Sequence, residues 1–317
     1  MRVGAFLAPW GPLADRELCE RFAIAAEAAG FASLWTGDHV VFPHETASRY
    51  AYNEGGSSPF GPDQPHLEPI VLLTHLAART ARIRLGISVL ILAMRNPVLA
   101  AKMLGDLQTL SRGRVTLGVG AGWLREEFEA LGADFDRRGP ATDEYVGILR
   151  HLWDGRREPF EGEHYSFGSI GFSPRPAPIP VLVGGNSEAA LRRAVRVGDG
   201  WHPLRLEPDA VREHVARLRG LAEAGGRSPD DLTVVHRGRL FDLDTTRAGP
   251  GDDQTRADRL RQRLAAYEEA GVEEFVLEFP YPGSPPDRQL AWLDWFGEYG
   301  LTGTVATTAT EAATRTT

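Results

Sequence analysis

The feature that most constrains this chain is the regular alternation of short apolar runs with longer amphipathic stretches. Eight runs are rich in apolar or β-branched residues, and they span residues 3–8, 33–36, 83–89, 115–119, 180–183, 200–203, 232–241 and 274–279. The stretches between them repeat apolar residues at helical spacing, as in Val98, Ala101 and Leu104 after Pro97. Strands that alternate with helices are typical of a parallel sheet covered by helices. Eight such units predict an α/β protein with a (β/α)8 TIM-barrel fold.

We expect one barrel domain over residues 1–300. From residue 301 onward the sequence LTGTVATTATEAATRTT has too little apolar content to pack, which predicts a disordered tail over 301–317. Two stretches, 40–67 and 158–178, do not fit the repeat. Connections of this length are usually functional, so we expect both to cover a substrate, and the second to contain an inserted hairpin.

Composition excludes several classes of function. The formal charge of −8 disfavours nucleic acid and anionic membrane surfaces as partners. One cysteine, Cys19, excludes a disulfide framework, and no run is long and apolar enough for a signal peptide or a membrane span, so we expect a cytoplasmic protein. Lys102 is the one lysine, and the GxxxxGK phosphate-binding motif is absent. The spacing of Asp38, His39, His44, Glu45 and His66 matches no known ligand pattern, so no metal site is predicted.

Candidate site residues follow the predicted strands, because TIM-barrel enzymes place their sites at the carboxyl ends of the strands. Asp38 and His39 follow the second strand, where a carboxylate beside a histidine suggests general acid–base chemistry; a structural hydrogen bond is the alternative. The sequence GGNS after the fifth strand offers glycine backbone and a helix N-terminus to a phosphate, or forms a capped turn. In GVGAGW, Trp123 stands where a dinucleotide-binding GxGxxG motif requires glycine.

Taken in order, FASLWTGDHVVFP, LSRGRVTLGVGAGW, PVLVGGNS and GDGW resemble the bacterial luciferase-like superfamily, and within it the actinobacterial branch of F420-dependent oxidoreductases. The resemblance is dense to about residue 201 and thin to residue 299. It implies a (β/α)8 barrel that binds F420 or FMN with the ring at the barrel mouth. It also implies a homodimer, since members of this family are commonly dimers.

The resemblance also assigns roles to residues. Asp38 and His39 match the acid–base pair, with His39 oriented by Asp38, and Ser88 and Val89 match a strand bulge with a cis peptide bond behind the ring. The full set of cofactor-binding residues implied in this way is Asp38, Ser88, Val89, Leu90, Gly120, Ala121, Gly122, Trp123, Gly184, Gly185 and Asn186. One departure is Trp123, which occupies the position of a glutamate proton donor in the F420-dependent sugar-phosphate and alcohol dehydrogenases.

These observations favour an oxidoreductase that uses F420 to exchange a hydride with a small organic substrate. An FMN-dependent monooxygenase that uses O2 is the alternative, and the motifs do not separate the two. A cofactor-free binding protein on a barrel scaffold is the third hypothesis, because a fold does not prove a function.

Overall fold

Parallel strands form the centre of the molecule. The computed structural model describes residues 1–303 except 51, 53–54, 57–59, 241–253 and 280–284. Its strands are β1 (Arg2–Leu7), β2 (Ser33–Thr36), β3 (Arg84–Ile91), β4 (Val115–Gly120), β5 (Phe160–Glu161), β6 (Ser166–Phe167), β7 (Val181–Gly184), β8 (Gly200–His202), β9 (Thr233–Gly238) and β10 (Glu274–Glu278). Eight of these close into a barrel in the order β1, β10, β9, β8, β7, β4, β3, β2, and the paired neighbours are parallel. The predicted (β/α)8 barrel is therefore confirmed.

Helices surround the barrel. In the described part of the chain they are α1 (Arg16–Ala28), α2 (Pro69–Ala77), α3 (Pro97–Leu110), α4 (Arg125–Ala130), α5 (Arg138–Trp153), α6 (Glu188–Val197), α7 (Pro208–Ala224), α8 (Gln254–Glu269) and α9 (Pro286–Glu298). The Asp15 side chain caps α1 by accepting from the Leu18 amide. Helix α2 comes directly after the stretch 40–67, and the short helix α4 follows β4; neither helix was expected from the sequence.

The stretch 158–178 contains the expected hairpin but does not cover the barrel mouth. Strands β5 and β6 pair antiparallel, with Phe160 opposite Phe167. Both rings also contact His151 of α5, with ring centroids 5.6 and 5.7 Å apart, and Phe172 packs near Gly105 of α3. The hairpin therefore packs on the outer helices, and the expectation that it covers a substrate is wrong.

Alternation along the strands separates two apolar layers. In β1, Val3, Ala5 and Leu7 belong to the large core that includes the helices, whereas Phe6 belongs to a second cluster. This second cluster takes one residue from each of five barrel strands, which are Phe6, Trp35, Leu182, Val235 and Val276. Successive side chains of a strand point to opposite faces, so the second cluster fills the barrel interior.

The carboxyl-terminal end of the described chain packs beside the end of α1. Leu301 and Thr302, which we expected in the disordered tail, are buried, and the Thr302 hydroxyl donates to the Ala29 carbonyl. Residues 304–317 of the expected tail and Phe241 of the expected seventh strand lie outside the described residues. Among the described helices, none is long and apolar enough to cross a membrane.

The barrel interior leaves no room for a side chain at Gly86. A Cβ atom there would lie 2.2 Å from two ring carbons of Trp35, so we expect Gly86→Ala to lower the free energy of unfolding by about 3 kcal/mol. Gly220→Ala is the matched control, because Gly220 lies in α7 with no atom near its Cβ position. This change should raise the free energy of unfolding by about 0.5–1 kcal/mol. Urea denaturation measures both, and equal effects would contradict the tight packing of Trp35 on β3.

Candidate active site

A cavity of about 550 Å3 opens at the carboxyl ends of the strands. Apart from Leu90, every residue expected to bind the cofactor or act in catalysis lines it: Asp38, His39, Ser88, Val89, Gly120, Ala121, Gly122, Trp123, Gly184, Gly185 and Asn186. Leu90 is fully buried in the large apolar core, so its side chain does not reach the cavity. The predicted site residues that follow the strands therefore meet at one cavity, and Leu90 is the exception.

His39 is oriented by Glu127 of α4 and not by Asp38. Its Nδ1 lies 2.8 Å from Glu127 Oε2. The other carboxylate oxygen of Glu127 accepts from the Val40 amide at 2.6 Å and from the Val41 amide at 3.2 Å. One buried carboxylate thus fixes both the histidine ring and the backbone that follows it.

The pKa of Glu127 determines which nitrogen of His39 carries the proton. Burial raises the pKa of Glu127, but the hydrogen bonds from His39 and from the two amides outweigh it and hold the pKa below its ordinary value. The ionised carboxylate accepts a hydrogen bond from the Nδ1–H group, so neutral His39 keeps its lone pair on Nε2. Among the described residues none hydrogen-bonds Nε2, and His39 lines the cavity. The ring can therefore take or give a proton there.

Asp38 forms an ion pair that holds the strand ends together. Its carboxylate accepts from both terminal nitrogens of Arg95, at 2.8 and 2.7 Å, and from the Ile91 amide at 2.8 Å. Arg95 also donates to Glu68 at 3.1 Å. Burial lowers the pKa of Arg95, but the two carboxylates outweigh it and raise the pKa. The expected orientation of His39 by Asp38 is wrong because the carboxylate is engaged on the side of β3.

Val89 is backed by glycines that leave space for its side chain. The Ser88–Val89 peptide bond is cis, as the resemblance implies, and the register between β3 and β4 shifts there. Cβ atoms at Gly120 and Gly184 would lie 2.4 and 2.6 Å from the methyl groups of Val89. Glycine is therefore required at both positions for Val89 to form part of the cavity wall.

Ser88 is held from the opposite side of the barrel. Its hydroxyl lies 2.6 Å from Nε2 of His202, and the other ring nitrogen of His202 faces the Val235 carbonyl. Burial and the charge of Arg237 lower the pKa of His202 to about 4, against the hydrogen bond to the Val235 carbonyl, which raises it. Neutral His202 therefore donates to Val235 and accepts from Ser88. Arg237 donates to the Ser88 carbonyl at 3.0 Å.

The turn after β7 combines glycine backbone with a helix start. Gly185 has a φ of 112°, which L residues rarely adopt. The Asn186 side chain fixes the turn by accepting from the Leu204 amide at 3.0 Å and donating to the Leu204 carbonyl at 2.8 Å. Ser187 caps α6, and Arg193, two turns into that helix, also lines the cavity. Backbone amides at a helix N-terminus with a nearby guanidinium suit a phosphate group.

Aromatic side chains form another wall. Tyr50, Tyr52 and Phe60 of the stretch 40–67 line the cavity together with Trp10 and Trp123. Glu126 of α4 fixes this stretch by accepting from the Ala47 and Ser48 amides, at 2.6 and 3.1 Å. The described part of this stretch therefore borders the cavity, in line with the expected cover.

Sequence reasoning missed Glu127, Arg193, Arg237 and Trp10. A signal for Glu127 exists in LREEFEALG, because Leu124 lies three positions before it and Leu131 four positions after it, on the same side of the helix. A glutamate on an apolar helix face needs a buried partner. No comparable signal marks Arg193 among the many arginines. The described residues contain no cluster suited to a metal ion.

The family model for luciferase-like monooxygenases matches residues 14–248. The chain belongs to the luciferase-like monooxygenase family. The match confirms the resemblance to the luciferase-like superfamily. It also confirms the expected class of enzyme, an oxidoreductase or monooxygenase, which is the class to which members of this family belong.

Several relatives share a large part of the chain. An uncharacterized protein from Mycobacterium tuberculosis is 40% identical over 213 residues, which span 67% of this chain and 74% of that protein. The F420-dependent glucose-6-phosphate dehydrogenase of Nakamurella multipartita is 32% identical over 234 residues, which span 71% of this chain and 64% of the dehydrogenase.

Solved structures share the fold at lower identity. A monooxygenase from Streptomyces bottropensis superposes with a TM-score of 0.74 at 23% identity, covering 95% of this chain and 99% of that chain. An F420-dependent secondary alcohol dehydrogenase, solved with an F420–acetone adduct, has a TM-score of 0.73 at 18% identity, covering 94% and 97%. At this level of identity the likeness supports the fold alone.

The Asp38 ion pair makes a testable contribution to stability. Asp38→Asn leaves the half-buried Arg95 without its bidentate partner, so we expect the free energy of unfolding to fall by about 3 kcal/mol. Asp106→Asn is the control, because Asp106 pairs with Lys102 in an exposed helical ion pair and should change the value by less than about 0.5 kcal/mol. Urea unfolding measures both. Similar losses in the two variants would show that the Asp38–Arg95 pair does not stabilise the strand ends.

Proposed function

We propose that this protein is an F420-dependent oxidoreductase that exchanges a hydride with a small organic substrate, while His39 moves the accompanying proton. The observation that carries the proposal is the His39–Glu127 pair, which lines the same cavity as a glycine turn suited to a phosphate. The relative named as an F420-dependent glucose-6-phosphate dehydrogenase supports the choice of cofactor.

The residues of the cavity fit a deazaflavin or flavin cofactor. Gly184 and Gly185 would receive its phosphate at the start of α6, with Arg193 as a charge partner. Val89, for which Gly120 and Gly184 leave space, would support a face of the ring. When bound, F420 supplies or accepts a hydride at its ring.

His39 would handle the proton at Nε2. In its neutral form it accepts a proton at this atom, and in its charged form it donates one, while Glu127 keeps Nδ1 protonated in both states. The ionised Glu127 also stabilises the charged ring. The aromatic wall formed by Trp10, Phe60 and Trp123 would exclude water and favour an apolar or planar substrate portion.

An FMN-dependent monooxygenase is the second candidate. Trp123 lines the cavity at the position where the resemblance puts a glutamate proton donor in F420-dependent dehydrogenases. An apolar indole in place of a carboxylate suits a reaction that does not use that proton donor.

Cofactor titration tests the proposal. F420 and FMN are added separately to the purified protein, and tryptophan fluorescence is followed, because Trp10 and Trp123 line the cavity. We expect F420 to bind at micromolar concentration and FMN at least tenfold more weakly. Arg193→Gln should weaken F420 binding about tenfold, because it removes a charge-assisted contact.

Two variants calibrate this titration. Arg196→Gln is a matched control, since Arg196 pairs with the same Asp143 as Arg193 but is more exposed and does not line the cavity; F420 affinity should change less than twofold. Gly185→Asp places a negative charge in the turn and should abolish binding. If FMN bound clearly more tightly than F420, the monooxygenase would become the leading function. If neither F420 nor FMN bound, the result would favour a cofactor-free binding protein.

The proton-transfer role predicts a ranked loss of activity. Reduced F420 is supplied with a panel of enones and imines, and its oxidation is followed by absorbance. With a substrate found in this way, His39→Ala should lower kcat by about 10²–10⁴. Glu127→Gln should lower it less, because the ring stays in place but loses the carboxylate that stabilises its charged form.

Glu129→Gln is the control for Glu127→Gln. Glu129 lies on the same short helix but is exposed, so kcat should stay within twofold. Full turnover in His39→Ala would refute its role as the proton carrier, and equal losses in Glu127→Gln and Glu129→Gln would refute the role of Glu127.

A further inference from the structure

Three arginines surround one carboxylate at the barrel mouth. Arg205 follows β8, Arg237 lies in β9 and Arg239 directly follows it, and all three face Glu278 at the end of β10. Arg205 donates to Glu278 through Nε at 2.9 Å and through a terminal nitrogen, and Arg239 donates at 3.2 Å. Arg237 Nε lies 3.5 Å from the same carboxylate. We call these four residues the arginine cluster.

The charges of the arginine cluster do not balance. Burial raises the pKa of Glu278, but the surrounding guanidinium groups outweigh it and lower the pKa to about 2, so Glu278 carries one full negative charge at neutral pH. In the described part of the chain, the three arginines form salt bridges with no other carboxylate. Among the described residues, two positive charges therefore remain without a carboxylate partner.

This excess charge borders the cavity. Arg237 lines the cavity, and its buried Nε is near Glu278 but makes no hydrogen bond with the described residues. Arg205 lies beside the backbone carbonyl of Tyr52, with its terminal nitrogen 3.4 Å from that oxygen, and Tyr52 also lines the cavity. A buried donor without an acceptor is costly, and a bound anion would supply an acceptor and offset the excess charge.

We propose that the arginine cluster binds an anionic group of the substrate, either a carboxylate or a phosphate. The inference rests on the proposed function, because it places the substrate in the cavity that His39 lines. Guanidinium groups match the planar oxygens of carboxylates and phosphates, which Arg binds in bidentate fashion.

The location argues for the substrate over the phosphate of the cofactor. The glycine turn lies after β7, where Arg193 supplies a separate charge, whereas the arginine cluster lies on β8, β9 and β10. In the barrel order, β8 separates β7 from β9. The mouth therefore offers two separate groups of cations, and one cofactor phosphate accounts for one of them.

Calorimetric titration of the full chain with inorganic phosphate, and separately with acetate, tests the proposal. Both probes are added at constant ionic strength to the free protein and to the protein saturated with F420. We expect at least one probe to bind equally well, within twofold, in both forms, and the tighter probe identifies the class of anion. Arg205→Gln and Arg239→Gln should each weaken this binding about tenfold, with F420 affinity changed less than twofold.

Two further variants keep the result interpretable. Arg205→Lys retains the charge and should bind the probe within about threefold of the native protein. Arg212→Gln is the control, because Arg212 pairs with Asp209 on the exposed face of α7, and its probe affinity should not change. Thermal unfolding of each variant verifies that the fold is intact.

Three outcomes would overturn the proposal. The first is that neither probe binds detectably, and the second is that Arg205→Gln and Arg239→Gln both bind the probe as the native protein does. The third is that F420 competes with the probe and that both variants lose affinity for F420 as well as for the probe. The last outcome would assign the arginine cluster to the cofactor. If neither F420 nor FMN binds but probe affinity still depends on Arg205 and Arg239, the proposed function fails while the anion site stands.

Discussion

The pairing of the first barrel strand with the last is the constraint on which the whole mouth depends. Residues 2–6 of β1 lie in register with residues 274–278 of β10, so the two ends of the chain complete one sheet. This closure places Phe6 opposite Glu278 and under the guanidinium of Arg237, which lies 3.4 Å from the ring centroid, while the pairing of β10 with β9 brings Arg237 beside Glu278. Groups separated by more than two hundred residues thereby share one surface.

Within that frame, each buried carboxylate of the mouth has its own set of donors. Asp38 fixes the ends of β2 and β3 through Arg95, Glu127 fixes His39, and Glu278 gathers three arginines. An ionised carboxylate remains buried only when donors satisfy its oxygens. Each of the three carboxylates therefore needs its own donors, and the donors of one cannot replace those of another. The arrangement leaves the Nε2 atom of His39 facing the cavity as the group suited to proton exchange.

The sequence predicted the fold and the strand-end part of the site for a physical reason. In a parallel barrel, residues that directly follow strands must meet at one mouth, so Asp38, Gly120 and Gly185 could be placed without knowing any contact. The partner of His39 could not be placed in this way. Asp38 and His39 lie beyond the end of β2, where strand alternation no longer fixes side-chain directions, so neither the pairing of Asp38 with Arg95 nor the packing of α4 that brings Glu127 to His39 could be predicted. Leu90 was misplaced because the register shift beside it alters which side of β3 each residue faces.

The packing of Val89 on glycine carries a consequence for how this site can change over generations. The methyl groups of Val89 occupy the volume that side chains at Gly120 and Gly184 would need, and these three residues come from three neighbouring strands. A larger residue at Gly120 or Gly184 fits only if a smaller residue has already replaced Val89. Single substitutions that occur one after another therefore pass through a less stable protein. We therefore expect the three positions to be inherited together as a block, while the aromatic residues of the stretch 40–67 remain free to diversify with the substrate.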